Sequence, residues 1–264
     1  MDTDKPLALV TGASSGIGKE TAARLAARGF DLVVCAEDER LTAAAAALRG
    51  GTGVDVQEVR ADLRRPDEVE KLWSAVAGTG RAVSLAVLNA GVGQGGPFVE
   101  TDLDDERSVI DLNVTSTVHL GKLVLRDMVA RGEGDVLITS SIAATMPGTY
   151  QAIYNASKAF LQSFATAVRA ELDGTGVSIT SVMPGPTETD FFHRAGMDDT
   201  AVGAGEKDDA GQVAEQAVAA VLARREKVVA GSLGTKAQGA ANDVLPDAAK
   251  AAMHRRMAEP GSAG

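Results

Sequence analysis

The chain is expected to fold as an α/β protein, a doubly wound parallel sheet of about seven strands with helices on both faces. Three observations lead there. Short β-rich runs alternate with longer helical patterns over nearly the whole length. The runs are almost continuous Val, Leu and Ile, as strands covered on both faces require. No internal repeat, low-complexity linker or composition break appears before about residue 232.

In chain order, LALVTG (7–12) reads as a strand and leads into a helical pattern over 16–28. DLVVCA (31–36) precedes helix 38–49, and VDVQEVRA (54–61) precedes helix 66–77. VSLAVLNA (83–90) leads to one long helix across about 103–131, and DVLITSS (135–141) to helix 150–173. VSITSVMPG (177–185) is followed, after an irregular stretch, by helix 211–223, and KVVAG (227–231) closes the series. Strands alternating with helices of this length give βαβ units. Residues 1–231 then form one domain, and the more polar 232–264 adds one or two helices on it before a frayed end.

Composition narrows the function. The 264 residues are long enough to bury a sizeable core, and 45% hydrophobic with 23% charged is ordinary for a soluble globular chain. A net charge of −10 argues against nucleic acid and anionic membranes as partners. Cys35 stands alone and has no internal disulfide partner, which favours a reducing, cytoplasmic setting. MDTDKPLALVTG lacks the basic and long apolar regions of a signal peptide, and no apolar run approaches the roughly 20 residues of a membrane span. His119, His193 and His254 are far apart without paired ligands, so no metal site is expected.

The polar residues sit where such a sheet binds ligands, at the carboxyl ends of its strands. Those ends are TGASSGIG, Glu37-Asp38, Asp62, Asn89-Ala90-Gly91, Ser140-Ser141 and Pro184-Gly185. One ligand lying along that edge explains six such endings; independent surface loops do not. In Gly12-Ala13-Ser14-Ser15-Gly16-Ile17-Gly18, glycines allow a tight turn and bring backbone N–H groups near a pyrophosphate, while the following helix directs its positive end there. Further along, Tyr154 and Lys158 are four residues apart and share one helix face.

TGASSGIG, Asn89-Ala90-Gly91 and Tyr154-Asn155-Ala156-Ser157-Lys158, in that order and spacing, resemble the short-chain dehydrogenase/reductase family, in its single-domain branch, over roughly residues 6–231. The resemblance implies a Rossmann fold and hydride transfer between a nicotinamide cofactor and an alcohol or ketone. It implies Tyr154 as general acid/base, Lys158 as its partner and ribose ligand, Ser141 as substrate-oxygen ligand, and Asn113 as the residue whose backbone distortion holds a relay water. Physical chemistry agrees: a phenol with a pKa of about 10 is a poor base at neutrality, and a nearby ammonium together with an oxidised nicotinamide lowers that value. Ser140 competes with Ser141, but alternate side chains of a strand face opposite ways, and spacing favours Ser141. Tyr150 lies too far from Lys158 to pair with it and is expected to line the substrate pocket.

Glu37, nineteen residues past Gly18, fits the acidic position that takes an adenosine ribose 2′-OH, which favours NAD, with NADP the alternative through a nearby Arg40. Asp62 and Leu63 resemble the adenine contact. Ser14, Ser15, Gly16 and Ile17 belong to the phosphate turn. Pro184 and Gly185 turn beside the nicotinamide, with Thr187 backbone and the Thr189 hydroxyl toward its carboxamide. Residues 190–209 fall where relatives carry a substrate lid, with Phe191, Phe192, His193 and Met197 as lining, and GVGQGGPFVETD (91–102) supplies a second wall. The chain lacks the Val-Asp-Gly-Gly ending of many tetramers, so a homodimer through helices 103–131 and 150–173 is expected, with a homotetramer the alternative. Other readings are a catalytically weak NAD(P)-binding regulator, which the intact Ser141, Tyr154 and Lys158 oppose, and an extended-branch epimerase or dehydratase, which needs a further substrate domain. An enoyl-carrier reductase would space its tyrosine and lysine differently.

Overall fold

Alternation along the first strand explains the layers. In β1 (Leu7–Thr11), Leu7 and Leu9 enter one apolar core while Ala8 and Val10 enter another. The same holds for Val33 and Cys35 against Leu32 and Val34 in β2 (Asp31–Ala36). A strand with both faces apolar needs cover on both sides. α3 (Pro66–Ala77), α5 (Ser116–Arg131) and α6 (Ala152–Glu171) cover the first side; α1 (Gly16–Ala27), α2 (Arg40–Thr52) and α9 (Ala210–Leu222) cover the second. The computed structural model describes residues 5–242 and 244–263.

With β3 (Val56–Arg60), β4 (Val83–Leu88), β5 (Gly134–Thr139), β6 (Val177–Pro184) and β7 (Lys227–Ala230), the sheet is parallel throughout, in the order β3-β2-β1-β4-β5-β6-β7. The chain builds outward from β1 to β3, then returns to place β4 on the other side of β1. The order therefore reverses between β1 and β4, and the crevice beyond their carboxyl ends is where a ligand fits.

The expected long helix 103–131 is interrupted. α4 (Leu103–Ile110) passes into a π-helical turn, Asp111–Thr115, before α5 begins. Helix α2 starts at Arg40, because Asp38 turns its carboxylate back to accept from the Arg40 N–H at 3.0 Å, and it runs on to a left-handed Gly53. Between β6 and α9 lie two short helices, α7 (Phe191–Arg194) and α8 (Ala201–Ala204).

The tail forms α10 (Leu233–Asn242), packed on β7, and α11 (Asp247–Ala258), packed on α8. Its end is not frayed through Ala263: the Gly261 N–H donates to Asp199 Oδ2 at 2.9 Å, and the Ala263 N–H to the Asp199 carbonyl at 2.9 Å. The acidic start, Met1–Asp4, and Gly264 lie outside the described residues. Among the described residues, no helix is long and apolar enough to cross a membrane.

Candidate active site

The turn after β1 is shaped by what cannot fit. Gly12 has φ +67°, a left-handed conformation that penalises side chains, and a Cβ on Gly18 would collide with the Gly12 carbonyl. The loop thus closes against the first turn of α1. Ser15 does not cap that helix with its side chain, and its first turn holds no acidic residue, so the backbone N–H groups there remain available to an anion.

Asn89 fastens the crevice floor. Its backbone N–H donates to Thr11 Oγ1 at 2.9 Å, its Nδ2 to the Thr11 carbonyl at 3.1 Å, and its Oδ1 accepts from Thr139 Oγ1 at 3.1 Å. Three strands are tied at the switch point by one side chain.

A cleft of about 250 Å³ runs along this edge. Its wall includes Gly12, Ser14–Gly18, Glu37, Leu63, Asn89–Gly91, Ser141, Tyr154, Lys158, Pro184, Gly185, Thr187 and Thr189. Asp62 and Asn113 are outside it. Asp62 is turned away into a two-point pair with Arg64, at 2.8 and 2.9 Å, and Arg64 holds its carboxyl below the usual range despite partial burial, which acts the other way.

Asn113 is wholly buried behind the wall, in the π turn. Its Oδ1 accepts from Val92 N at 2.9 Å, and its Nδ2 donates to the Val92 carbonyl and Ser157 Oγ, both at 2.9 Å. Asparagine inside a helix costs about 0.7 kcal/mol against alanine, and these hydrogen bonds return about 1 kcal/mol each, so the site tolerates it.

Strand alternation separates the two serines. Ser140 Oγ donates to the Lys158 carbonyl at 2.9 Å and is spent on α6. Ser141 Oγ accepts from Ala143 N at 3.1 Å, points to the Pro184 carbonyl at 3.3 Å, and is near enough to the Tyr154 hydroxyl to lower its pKa. Burial outweighs that effect and pushes the phenol up to about 12. Lys158 is 4% exposed; its ammonium donates to the Thr139 carbonyl at 3.0 Å and lies 5.8 Å from the Tyr154 ring centroid. Burial brings it down to about 8. Both groups are desolvated, and burial drives each toward its neutral form.

At the β2 end of the cleft the guanidinium groups of Arg40, Arg64 and Arg194 are all engaged. Glu37 is ion-paired to Arg64 and, at 2.8 Å, to Arg194 of α7, while Arg40 joins Asp38 to Asp190. At the other end, the Phe191 ring lies 5.0 Å from that of Tyr154. Phe192 also lines the cleft, whereas Met197 is buried in a small cluster beneath and His193 points outward to Asp198 at 2.7 Å. Tyr150 does not line the cleft. A positive φ of 67° turns it against the small cluster of Phe192, Ala195, Met197 and Ala258, and its hydroxyl donates to Glu259 at 3.2 Å. His119 and His254 bond to Glu70 and the Thr149 carbonyl in separate places.

Sequence reasoning missed Arg194, Gln151, Gln238 and Met257, all in the wall. Gln238 and Met257 come from the C-terminal helices, so the tail completes the cleft wall. No short motif marks them; only packing brings them there.

A short chain dehydrogenase family model matches residues 6–200. Sulfoacetaldehyde reductase 2 of Chromohalobacter salexigens is 35% identical over 199 residues, 74% of this chain and 78% of that protein. A short-chain dehydrogenase from Sphingobium yanoikuyae, solved with NADPH, is 33% identical with a TM-score of 0.80, covering 85% of this chain and 87% of that one. One from Burkholderia phymatum, solved with NAD, is 26% identical with a TM-score of 0.79, covering 87% and 90%.

Proposed function

Since the chain belongs to the short-chain dehydrogenase/reductase family of NAD(P)-dependent oxidoreductases, we propose that it transfers hydride between NAD and a partly apolar alcohol or ketone, with Tyr154 as general acid/base. The observation that carries this reading is the convergence of Tyr154, Lys158 and Ser141 on one cleft whose far arm is the glycine turn at α1. That arm fits a dinucleotide: a crowded glycine cradle, an uncapped helix N-terminus and a carboxylate at the end of β2.

Gly12–Gly18 would hold the pyrophosphate, Glu37 the adenosine ribose and Leu63 the adenine. Asn89-Ala90-Gly91 would follow the ribose, Lys158 would take the nicotinamide ribose, and Pro184, Gly185, Thr187 and Thr189 the carboxamide side. The bound cofactor supplies or accepts the hydride. Tyr154 keeps its proton up to about 12 in the free cleft, so it is set to give that proton to the oxygen of a ketone being reduced. Ser141 donates a hydrogen bond to the same oxygen, where negative charge develops. Lys158, charged below about 8, stabilises the phenolate left behind. Asn113 acts through position: its side chain ties Val92 of the wall to Ser157 of α6 behind it, and its π turn offers a place for a relay water.

The preference for NAD is supported by the charges around Glu37. A 2′-phosphate would meet carboxylates whose neighbouring arginines are already paired. The test is a panel of ketones and alcohols followed by nicotinamide absorbance, run in parallel with NAD(H) and NADP(H). The expected result is turnover with higher kcat/KM for NAD(H); a tenfold preference for the phosphorylated form overturns the cofactor assignment. Tight nucleotide binding with an inert panel favours the regulator instead.

Two further parts of the proposal concern setting and assembly. Cys35 is free and buried, its thiol pushed up to about 12 by burial, in keeping with a reducing cytoplasm; fractionation into an exported pool would contradict that. Leu103, Ile110, Val129 and Phe160 are exposed on α4, α5 and α6, which supports a homodimer through these helices, or a homotetramer that includes them. Phe160→Glu is expected to leave monomers in light scattering where the wild type gives a larger species. A monomeric wild type removes the assembly.

A further inference from the structure

Among the described residues, Tyr150 and Arg224 are the non-glycine residues with positive φ, 67° and 51°. Arg224 lies past α9, whereas Tyr150 stands four residues before Tyr154. A side chain in this conformation is strained, and it persists only where its surroundings enforce it. For Tyr150 the enforcing contacts can be named. Its carbonyl accepts from the Gly96 N–H at 2.9 Å, its ring packs on the cluster of Phe192, Ala195, Met197 and Ala258, and its hydroxyl donates to Glu259 Oε1 at 3.2 Å. Glu259 closes α11, and its own N–H donates to the Arg255 carbonyl at 2.9 Å. That helix is seated on the same segment. The Thr149 hydroxyl donates to the Ala251 carbonyl at 3.2 Å, and the His254 ring Nδ1 bonds to the Thr149 carbonyl at 2.8 Å.

The left-handed residue decides where α6 starts. With the Tyr150 carbonyl given to Gly96, the helical ladder opens one residue later, as the Asn155 N–H donates to the Gln151 carbonyl at 3.0 Å. Tyr154 is then the third residue of α6. The N–H groups of a first turn have no partner within the helix, so the backbone there takes its position from the chain entering it. Lys158, one turn deeper, is fixed by other means: its carbonyl accepts from Ser140 Oγ, and its ammonium donates to the Thr139 carbonyl. The lysine is tied to β5 and its end, while the tyrosine depends on the entry to the helix.

We infer that Tyr150 and Glu259 are a pair of positioning residues: their hydroxyl–carboxylate bond carries the seat of α11 to the first turn of α6 and sets the Tyr154 phenol against Ser141 and Lys158. The C-terminal tail thereby acts on the proton-transfer step, beyond its share in the cleft wall. The inference rests on the oxidoreductase reading above and extends it to residues that touch neither substrate nor cofactor. A reacting group displaced by about 1 Å can cost about a hundredfold in rate. Losing one anchor of Tyr150, with the Gly96 bond and the ring packing still in place, costs less than that.

The test measures kcat on the fastest ketone of the panel above with NADH, together with NADH affinity and melting temperature. Tyr150→Phe and Glu259→Ala are each expected to lower kcat about tenfold, and the double variant by no more than either alone. Glu259→Gln keeps an acceptor oxygen and stays within about twofold of wild type. NADH affinity is unchanged, and the melting temperature falls by no more than about 3 °C, the worth of one hydrogen bond. In a Tyr154→Phe background, Tyr150→Phe leaves the residual rate where it is, because the group it positions has already lost its oxygen. An unchanged kcat in Tyr150→Phe overturns the inference. So does the same fold loss with and without the Tyr154 hydroxyl, or a loss of rate that follows a loss of NADH affinity, since either marks an anchor of the fold alone. A wild type that binds NADH but reduces no ketone overturns the oxidoreductase reading itself, before any variant is made.

Discussion

Tyr154→Phe is expected to lower kcat by about 10²- to 10⁴-fold, the usual worth of a positioned general acid, while nucleotide affinity and melting temperature stay near wild type. The substitution removes one oxygen and keeps the ring, so the packing against Phe191 at 5.0 Å survives. The hydroxyl serves no scaffold role that would confuse the result, since its neighbour Ser141 also bonds to Ala143 N and the Pro184 carbonyl. Loss of rate with retained binding is the signature of a group acting in the transition state. Turnover that survives the substitution removes Tyr154 from the chemistry. A wild type as slow as the variant points to the nucleotide-binding regulator.

The same residue shows what the sequence made legible. Tyr154 and Lys158 are four apart on a helix, so their shared face follows from geometry alone, and the apolar runs of β1, β2, β5 and β6 needed no tertiary information to read as buried strands. The residues between 103 and 131 were harder. One extra residue in a turn leaves the apolar spacing on either side intact, so a π turn at Asp111–Thr115 looks like continuous helix, and only the family resemblance pointed to a distortion at Asn113. Tyr150 was misread because an apolar ring near the motif suggests a pocket; the positive φ that turns it away toward Glu259 has no sequence mark in a non-glycine residue. Arg194, Gln238 and Met257 reach the cleft only through the folding of α7, α10 and α11 against it. Strand ends are local facts, whereas this part of the cleft wall is assembled from segments as far apart as Met146 and Met257.

Lys158→Met is expected to show opposite effects on activity and stability. Activity falls by about 10²-fold or more, because the ammonium that would stabilise the phenolate is gone. Stability rises, for a reason visible in the cleft: burial brings Lys158 from 10.5 to about 8, so at neutral pH the fold carries a charge that it disfavours by about 3 kcal/mol. Methionine has similar length and no charge to desolvate. The pH dependence fixes the sign. Below about 8 the lysine is protonated in both folded and unfolded chains, and the full penalty applies. Between about 8 and 10.5 the unfolded chain binds the proton and the folded one does not, so wild-type stability climbs with pH and the variant's advantage shrinks to little. Melts should stop near pH 10, because the phenol of Tyr154, raised to about 12, makes the fold lose stability as pH rises beyond 10. At pH 7 the ligand-free variant should melt about 5 °C or more above wild type. A variant that melts lower at pH 7, with no convergence toward pH 10, would mean that the Thr139 hydrogen bond outweighs desolvation and that Lys158 is a structural post. If it melts higher and keeps its activity, the lysine is a bystander. Only the combination of lost rate and gained stability fits an ammonium held at a cost to the fold for the sake of the reaction.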